Sequence, residues 1–450
     1  MLATTIKMLH SRFVTKIYPV NFDHTQYYRD CFYYAQETIP FFNHLEPFLM
    51  ERQKNKINFS TLFVAIGITI STLLISCSTA KQSIEANSMP TQRNQTTETL
   101  YTNLKKLVDN QQIMFGCANP TTLKYVETHI YEGFNSSDCK DITGSNPAFL
   151  ESDFMWHIKD SLKIADIEAS KRAFKRGAVV GYCWHLRGKN SNTFYSKVDN
   201  EFTSDKELVK KIVSGKSRSE NPELDWLLSR LDNVVIPVIK EFGFPIVFRP
   251  WHEMNGSWFW WGSANCTPEE YIKLYRLTVD YIRSKGITNV LYSWSPDTRF
   301  TMEYYPGDEY VDILGLDIYE PGVYDWKPAS LVLDEMGKMT DYAIEHGKVA
   351  ALTETGLRKN NDEFVYAESI PDFWTKYILE PILNDAKAKR IAWIECWYGA
   401  DWGKDRNGSF YIPYLGIEKD RKNGQQAIDD FVKFYKHPAT IFEDDLPEMY

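Results

Sequence analysis

Residues 100–440 predict a single (β/α)8 TIM barrel, preceded by a lipoprotein signal and a flexible tether. Three observations predict it. Eight short apolar runs each end in polar or aromatic residues, amphipathic stretches separate them, and no glycine-rich loop follows the first run. Near-continuous apolar strands joined by helices imply a parallel sheet. Eight of them imply closure. An open doubly wound sheet would want a phosphate loop after its first strand, and 113–120 (IMFGCANP) lacks one.

The runs are 113–118 (IMFGCA), 147–154 (PAFLESDF), 178–184 (AVVGYCW) and 245–249 (PIVFR), then 289–295 (NVLYSWS), 311–319 (VDILGLDIY), 349–355 (VAALTET) and 391–397 (IAWIECW). Helical patterns lie between them, as at 222–243 and 268–286. In the second, Tyr271, Leu274, Tyr275, Thr278 and Ile282 follow the 3.6 period. Pro268 with Glu269 and Glu270 suits its start, and Gly286 its stop.

The chain has 450 residues, 43% hydrophobic and 25% charged, which excludes disordered, collagenous and polytopic membrane classes. Length alone allows roughly three domains at ~150 residues each, but one barrel with insertions absorbs well over ~250. Lys plus Arg is 51 and Asp plus Glu 60, so the net charge of −9 speaks against a nucleic-acid partner. Aromatic residues reach 15%. Their flat apolar faces with polar tips suit sugar rings, though they equally suit a bulky core.

The front of the chain reads as an address. Residues 59–75 carry no charge, Arg52, Lys54 and Lys56 precede them, and Ser76-Cys77 closes the stretch. A basic region, an apolar region and a small residue make a secretory signal. The closing Cys77 makes it a lipobox, with that thiol acylated. A single transmembrane anchor is the alternative, for which the stretch is short. The expected organisation is an upstream extension at 1–49, a signal at 50–76, a polar tether at 77–99 and the catalytic domain at 100–440. The body is then lipid-anchored to a bacterial membrane outside the cytoplasm, as a monomer. After Cys77 come Cys117, Cys139, Cys183, Cys266 and Cys396, an odd set without CxxC, and no HExxH occurs. No metal and no cofactor are expected.

Barrel active sites lie at the C-terminal ends of the strands. Glu253 follows the fourth run, beside His252 and ahead of the aromatic stretch 258–261 (WFWW). An acid that donates a proton near neutral pH needs a raised pKa, which burial among aromatics supplies. Glu354 ends the seventh run, and strand periodicity places Leu352 and Glu354 on one face, with Glu354 at the barrel mouth. Strands four and seven face each other across a barrel. Two carboxylates about 5–5.5 Å apart are the apparatus of retaining glycoside hydrolysis.

The segment Arg249-Pro250-Trp251-His252-Glu253-Met254-Asn255-Gly256, followed by Trp258-Phe259-Trp260-Trp261-Gly262, resembles the acid/base segment of glycoside hydrolase family 26. Thr353-Glu354-Thr355-Gly356 resembles the nucleophile segment of that family, Cys183-Trp184-His185 its third strand, and Gly315-Leu316-Asp317-Ile318-Tyr319 its sixth. The resemblance covers residues 100–440. It implies an endo-acting β-1,4-mannanase with Glu253 as acid/base and Glu354 as nucleophile. It implies that His185, His252 and Trp397 line the subsite of the cleaved mannosyl ring and that Trp258 stacks the leaving-side sugar. Tyr319 would bond the nucleophile, with Arg249 and Asp317 orienting the site from below. The partners implied are β-mannan, galactomannan, glucomannan and manno-oligosaccharides.

Two departures stand out. The eighth segment reads Trp397-Tyr398-Gly399-Ala400 where the family pattern is W-R-N-A, and the third-strand loop runs Leu186-Arg187-Gly188-Lys189-Asn190 without an N-P pair. Both fall where non-reducing-end sugars would lie. An exo-acting, mannobiose-releasing enzyme is therefore the alternative. A non-catalytic glycan-binding lipoprotein is the alternative from another class, and the retained glutamate pair argues against it.

Overall fold

The computed structural model describes residues 93–123, 134–198, 201–203, 205–357, 366–399 and 411–450. The signal, Cys77 and most of the tether lie outside the described residues. Eight parallel strands close a barrel: β1 (Ile113–Ala118), β2 (Phe149–Asp153), β3 (Val179–Trp184), β4 (Ile246–Pro250), β5 (Val290–Trp294), β6 (Ile313–Asp317), β7 (Val349–Thr355) and β8 (Trp393–Cys396). Neighbours pair in chain order, and β8 returns to β1 with Met114 opposite Trp393 and Gly116 opposite Glu395. Each of the eight expected runs coincides with a barrel strand, β4 reaching one residue further than its run, to Pro250.

The connections run outside. The main helices are α1 (Gln95–Asp109), α2 (Asp160–Lys175), α3 (Pro222–Arg230), α4 (Ile236–Phe242), α5 (Pro268–Ser284), α6 (Ala329–Glu345) and α7 (Gly424–Tyr435). The expected continuous helix at 222–243 is interrupted by a wider π turn at Leu231–Val235. Pro237, at the start of α4, has no N–H to donate back into that turn. Thr267 and Glu270 form a reciprocal capping box at the start of α5, and Gly286 takes φ 74° just past its end. The folded body also begins earlier than the composition suggests. The Asn94 side chain accepts from the Thr97 N–H, and Thr97, Leu100, Tyr101, Leu104 and Leu107 bury one face of α1.

That face closes the bottom of the barrel. One apolar side chain from every strand forms the floor: Met114, Phe149, Val179, Val247, Leu291, Ile313, Val349 and Trp393, packed with Leu100, Leu104 and Leu107 of α1. Above the floor the interior changes character. Glu151, Arg249, Asp317 and Glu395, from strands two, four, six and eight, are each at most 1% exposed. Alternate strands supplying one layer is the packing rule of these barrels. Glycines make room for the layer. A Cβ on Gly181 would lie 2.5 Å from the Phe149 ring, and one on Gly315 would lie 2.4 Å from Thr353 Oγ1. Among the described residues no helix is long and apolar enough to cross a membrane.

Candidate active site

The chain beyond β4 turns sharply twice. Trp251 and Glu253 both take left-handed backbone angles, φ 56° and 54°. Side-chain-bearing residues there cost on the order of 1–3 kcal/mol each and persist only where the surroundings hold them. The aromatic residues do the holding. Trp251 Nε1 donates to Thr278 Oγ1 (3.0 Å), the Tyr271 hydroxyl to the Trp251 carbonyl (2.9 Å), and Trp261 Nε1 to the His252 carbonyl (2.8 Å). The Glu253 N–H donates to the Ser295 carbonyl at 2.8 Å. Trp251, Trp260 and Trp261 are thus buried struts, whereas Trp258 reaches the cleft. Its Nε1 donates to Glu253 Oε2 at 2.6 Å. Its ring passes so near Gly256 that a Cβ there would sit 2.3 Å from it.

Glu354 arrives by a different device. The register between β6 and β7 steps from Leu316 opposite Leu352 to Asp317 opposite Glu354, leaving Thr353 as an extra residue. This bulge corrects the expectation that Leu352 and Glu354 share a face. Leu352 packs outward beside Met336 and Val332 of α6, while Thr353 donates inward to Asp317 Oδ1 at 2.6 Å. An extra residue re-aims the side chain that follows it, and here that side chain is Glu354. Arg249 Nη2 donates to its Oε1 at 2.7 Å, and the Tyr319 hydroxyl donates to its Oε2 at 2.6 Å. Both oxygens are held, so the plane of the carboxylate is fixed.

Arg249 is the hub beneath. Its Nε and Nη2 donate to the two oxygens of Glu151 at 3.0 and 2.6 Å, and its Nη1 donates to Asp317 Oδ2 at 3.0 Å and Ser295 Oγ at 3.3 Å. Burial opposes the guanidinium charge, but Glu151, Asp317 and Glu354 outweigh it and push the pKa well up. Burial raises the Asp317 carboxyl well above its ordinary range despite Arg249.

On the other side, His185 Nδ1 donates to Asp153 Oδ2 at 2.6 Å, and the His185 N–H to Asp153 Oδ1 at 3.0 Å. Burial works against the Asp153 charge, yet His185 and the backbone donors win and lower its pKa. His185 and His252 meet Nε2 to Nε2 at 3.1 Å. Burial, then His185 and Arg249, hold His252 well below the usual histidine range. The Trp397 ring stands 5.4 Å from His185.

His185, His252, Glu253, Trp258, Tyr319, Glu354 and Trp397 line one cleft of about 670 Å³. Arg249 and Asp317 lie directly below it. All nine residues singled out in the body of the sequence come together. The cleft also takes in Trp156, Tyr195, Asp297, Tyr398 and Tyr411, which sequence reasoning missed. It missed Glu151, Asp153 and Glu395 as well. Their signal was an acidic residue inside an apolar run, at alternate positions in 149–153 (FLESD).

One oxygen each of Glu253, Asp317 and Glu354 falls within 4.8 Å of the others, and Asp153, Cys183 and His185 group similarly. Either set has metal-binding spacing, but protein donors already engage its acids. What the first set can do is acid, base and nucleophile chemistry at one carbon. A parallel barrel with paired carboxylates and aromatic walls is the arrangement that barrel glycosidases use.

Comparison narrows the class. Residues 89–405 match the family described as glycosyl hydrolase family 26, and the chain belongs to it. A mannan endo-1,4-β-mannosidase of Bifidobacterium adolescentis is 34% identical over 44% of this chain and 22% of its own length. One from Bacillus subtilis strain 168 is 28% identical over 53% of this chain and 65% of its own. The chain therefore spans less than two thirds of these curated relatives. Among solved structures, the catalytic domain of an endo-β-1,4-mannanase from Bacillus sp. JAMB-750 aligns with TM-score 0.68 and 26% identity, covering 79% of this chain and 93% of that one. A β-mannanase of the family from Bacteroides ovatus aligns with TM-score 0.64 and 27% identity, covering 80% and 98%.

Proposed function

We propose that the chain is a retaining, endo-acting β-1,4-mannanase whose substrates are mannan, galactomannan, glucomannan and manno-oligosaccharides. The observation that carries this reading is the carboxylate pair. Oxygens of Glu253 and Glu354 approach within 4.8 Å in one aromatic cleft, and retaining glycosidases hold their carboxyls about 5–5.5 Å apart. The mannosidase names of the relatives support the choice of sugar.

In the first step a Glu354 oxygen attacks C1 of a mannosyl unit while Glu253 gives its proton to the departing oxygen. In the second, Glu253 takes a proton from water, the water oxygen bonds C1, and the Glu354 ester breaks. His185, His252 and Trp397 hold the ring that is cleaved, and Trp258 faces the leaving sugar. A product time course on mannohexaose and polymeric mannan tests this. Mixed oligomers with the β anomer appearing first support it. Mannobiose from the start indicates exo action, an α anomer contradicts retention, and binding without products indicates a non-catalytic glycan binder.

We also propose that residues 50–76 are a lipoprotein signal and that Cys77 carries the lipid. The basic, apolar and small-residue order of that stretch supports this. The catalytic domain then works outside the cytoplasm, on a bacterial membrane.

A further inference from the structure

Glu395 takes no part in the chemistry above, yet it sits in the same buried layer. It is 0% exposed, and among the described residues neither carboxyl oxygen has a hydrogen-bond partner. Its place is built for it. It pairs in register with Gly116, where a Cβ would come within 3.3 Å of the Glu395 Cβ and Cγ. The titratable groups that face it are Cys117 from β1, Glu151 from β2, Arg249 from β4 and Glu354 from β7, with Cys396 next to it on β8.

Among the described residues one cation, Arg249, serves all these acids, and its donors are spent. A guanidinium has five N–H groups. Arg249 uses them on Glu151 twice, Glu354, Asp317 and Ser295. An ionised Glu395 would be a buried charge without a donor, which is strongly unfavourable. Among the described residues it would gain a donor by drawing Arg249 away from another acceptor. Nη2, shared between Glu151 and Glu354, is the donor at stake. Burial, then Glu151, also push the Glu395 carboxyl well above its ordinary range, against the pull of Arg249.

We propose that Glu395 is a positioning residue, an uncharged acid whose neutrality leaves Arg249 on Glu354 and whose ionisation sets an alkaline limit on activity. This rests on the reading of Glu354 as nucleophile. The test compares wild type with Glu395→Gln and Glu395→Leu. The apolar variant is included because a buried amide without partners carries its own desolvation cost. kcat/KM is followed against pH on an aryl β-mannoside whose leaving group needs no proton, so that the alkaline limb does not report Glu253. Both variants should keep activity near pH 6 and move the alkaline limb up by about one pH unit or more. Limbs that coincide with wild type would overturn the proposal.

Melting temperature supplies a readout independent of the reaction. A carboxyl with a raised folded pKa loses stability as pH rises above its ordinary value. The advantage of each variant over wild type should therefore widen from pH 5 to pH 9. A constant gap overturns the uncharged state. A widening gap in a protein inactive on every mannoside supports the uncharged acid and sinks the mannanase reading instead.

Discussion

The Trp258 indole donates to Glu253 Oε2 across 2.6 Å, so in the proposed mechanism one ring both faces the leaving sugar and holds the acid. Trp258→Phe separates the two duties, because it keeps a flat face and removes the donor. A hydrogen bond to a charged group contributes about 1.5–3 kcal/mol, or roughly 10- to 100-fold in rate. Phe should lose that much kcat/KM on oligosaccharides, and Ala should lose more. Aryl mannosides that need no proton should suffer less from Phe. Equal losses on both substrate types, with a lowered melting temperature, would mean that Trp258 only props its loop.

Gly256→Ala should displace the same indole. A Cβ at 2.3 Å from the ring cannot be accommodated without movement, and overpacking typically costs about 1–3 kcal/mol. Activity should drop about tenfold or more, and the tryptophan fluorescence should change in the folded protein. An unchanged spectrum with full activity would remove Gly256 from the design of the site.

Glu354→Ala should reduce hydrolysis to background while the fold persists, since the site loses a nucleophile and little packing volume. With an activated aryl mannoside, added azide should restore turnover and give the α-azide. Glu253→Ala should spare activated substrates and cripple those with a sugar leaving group. If these two patterns are exchanged, so are the two roles.

Asp153→Asn should rotate or retautomerise His185, because an amide N–H would face Nδ1. Loss of the charged partner predicts a kcat/KM decrease of about 10- to 100-fold. Stability carries a sign as well. The folded Asp153 pKa is lowered, so its stabilisation is present above the ordinary Asp value near 3.8 and is lost as pH falls through the folded value. The melting-temperature gap between wild type and variant should shrink in acid. A gap independent of pH would show that Asp153 is not a paired anion.

Cys77→Ser should release the protein from the membrane fraction or leave it on an uncleaved signal. The detergent-solubilised wild type should migrate as a monomer. Acyl-labelled, membrane-bound Cys77→Ser protein would exclude Cys77 as the site of the lipid.

The barrel was legible because its strands are buried on both faces and so read as eight uninterrupted apolar runs. Their ends were less legible: the run at 311–319 overshoots β6, which stops at Asp317. Tyr319 and Trp397 were readable because strand ends are where barrel chemistry gathers. Glu151, Asp153 and Glu395 were not, because pattern reading treats the inside of an apolar strand as core. The bulge at Thr353 was invisible for a related reason. An extra residue alters no composition; it alters only which way Glu354 points. Tyr411 reaches the cleft from beyond residues 400–410, and no local pattern marks it.

Gly116, Gly181 and Gly315 have a consequence for anyone who tries to evolve this enzyme. Stability screens usually reward glycine-to-alanine changes, because the added methyl stiffens the unfolded chain. At these three positions the same methyl would meet Phe149, Glu395 or Thr353 at 2.4–3.3 Å. A library built by indiscriminate helix- and strand-stiffening would lose its fittest members here first. The floor beneath, lined by Val179, Val247 and Val349, is the safer ground for thermostabilising swaps of similar volume.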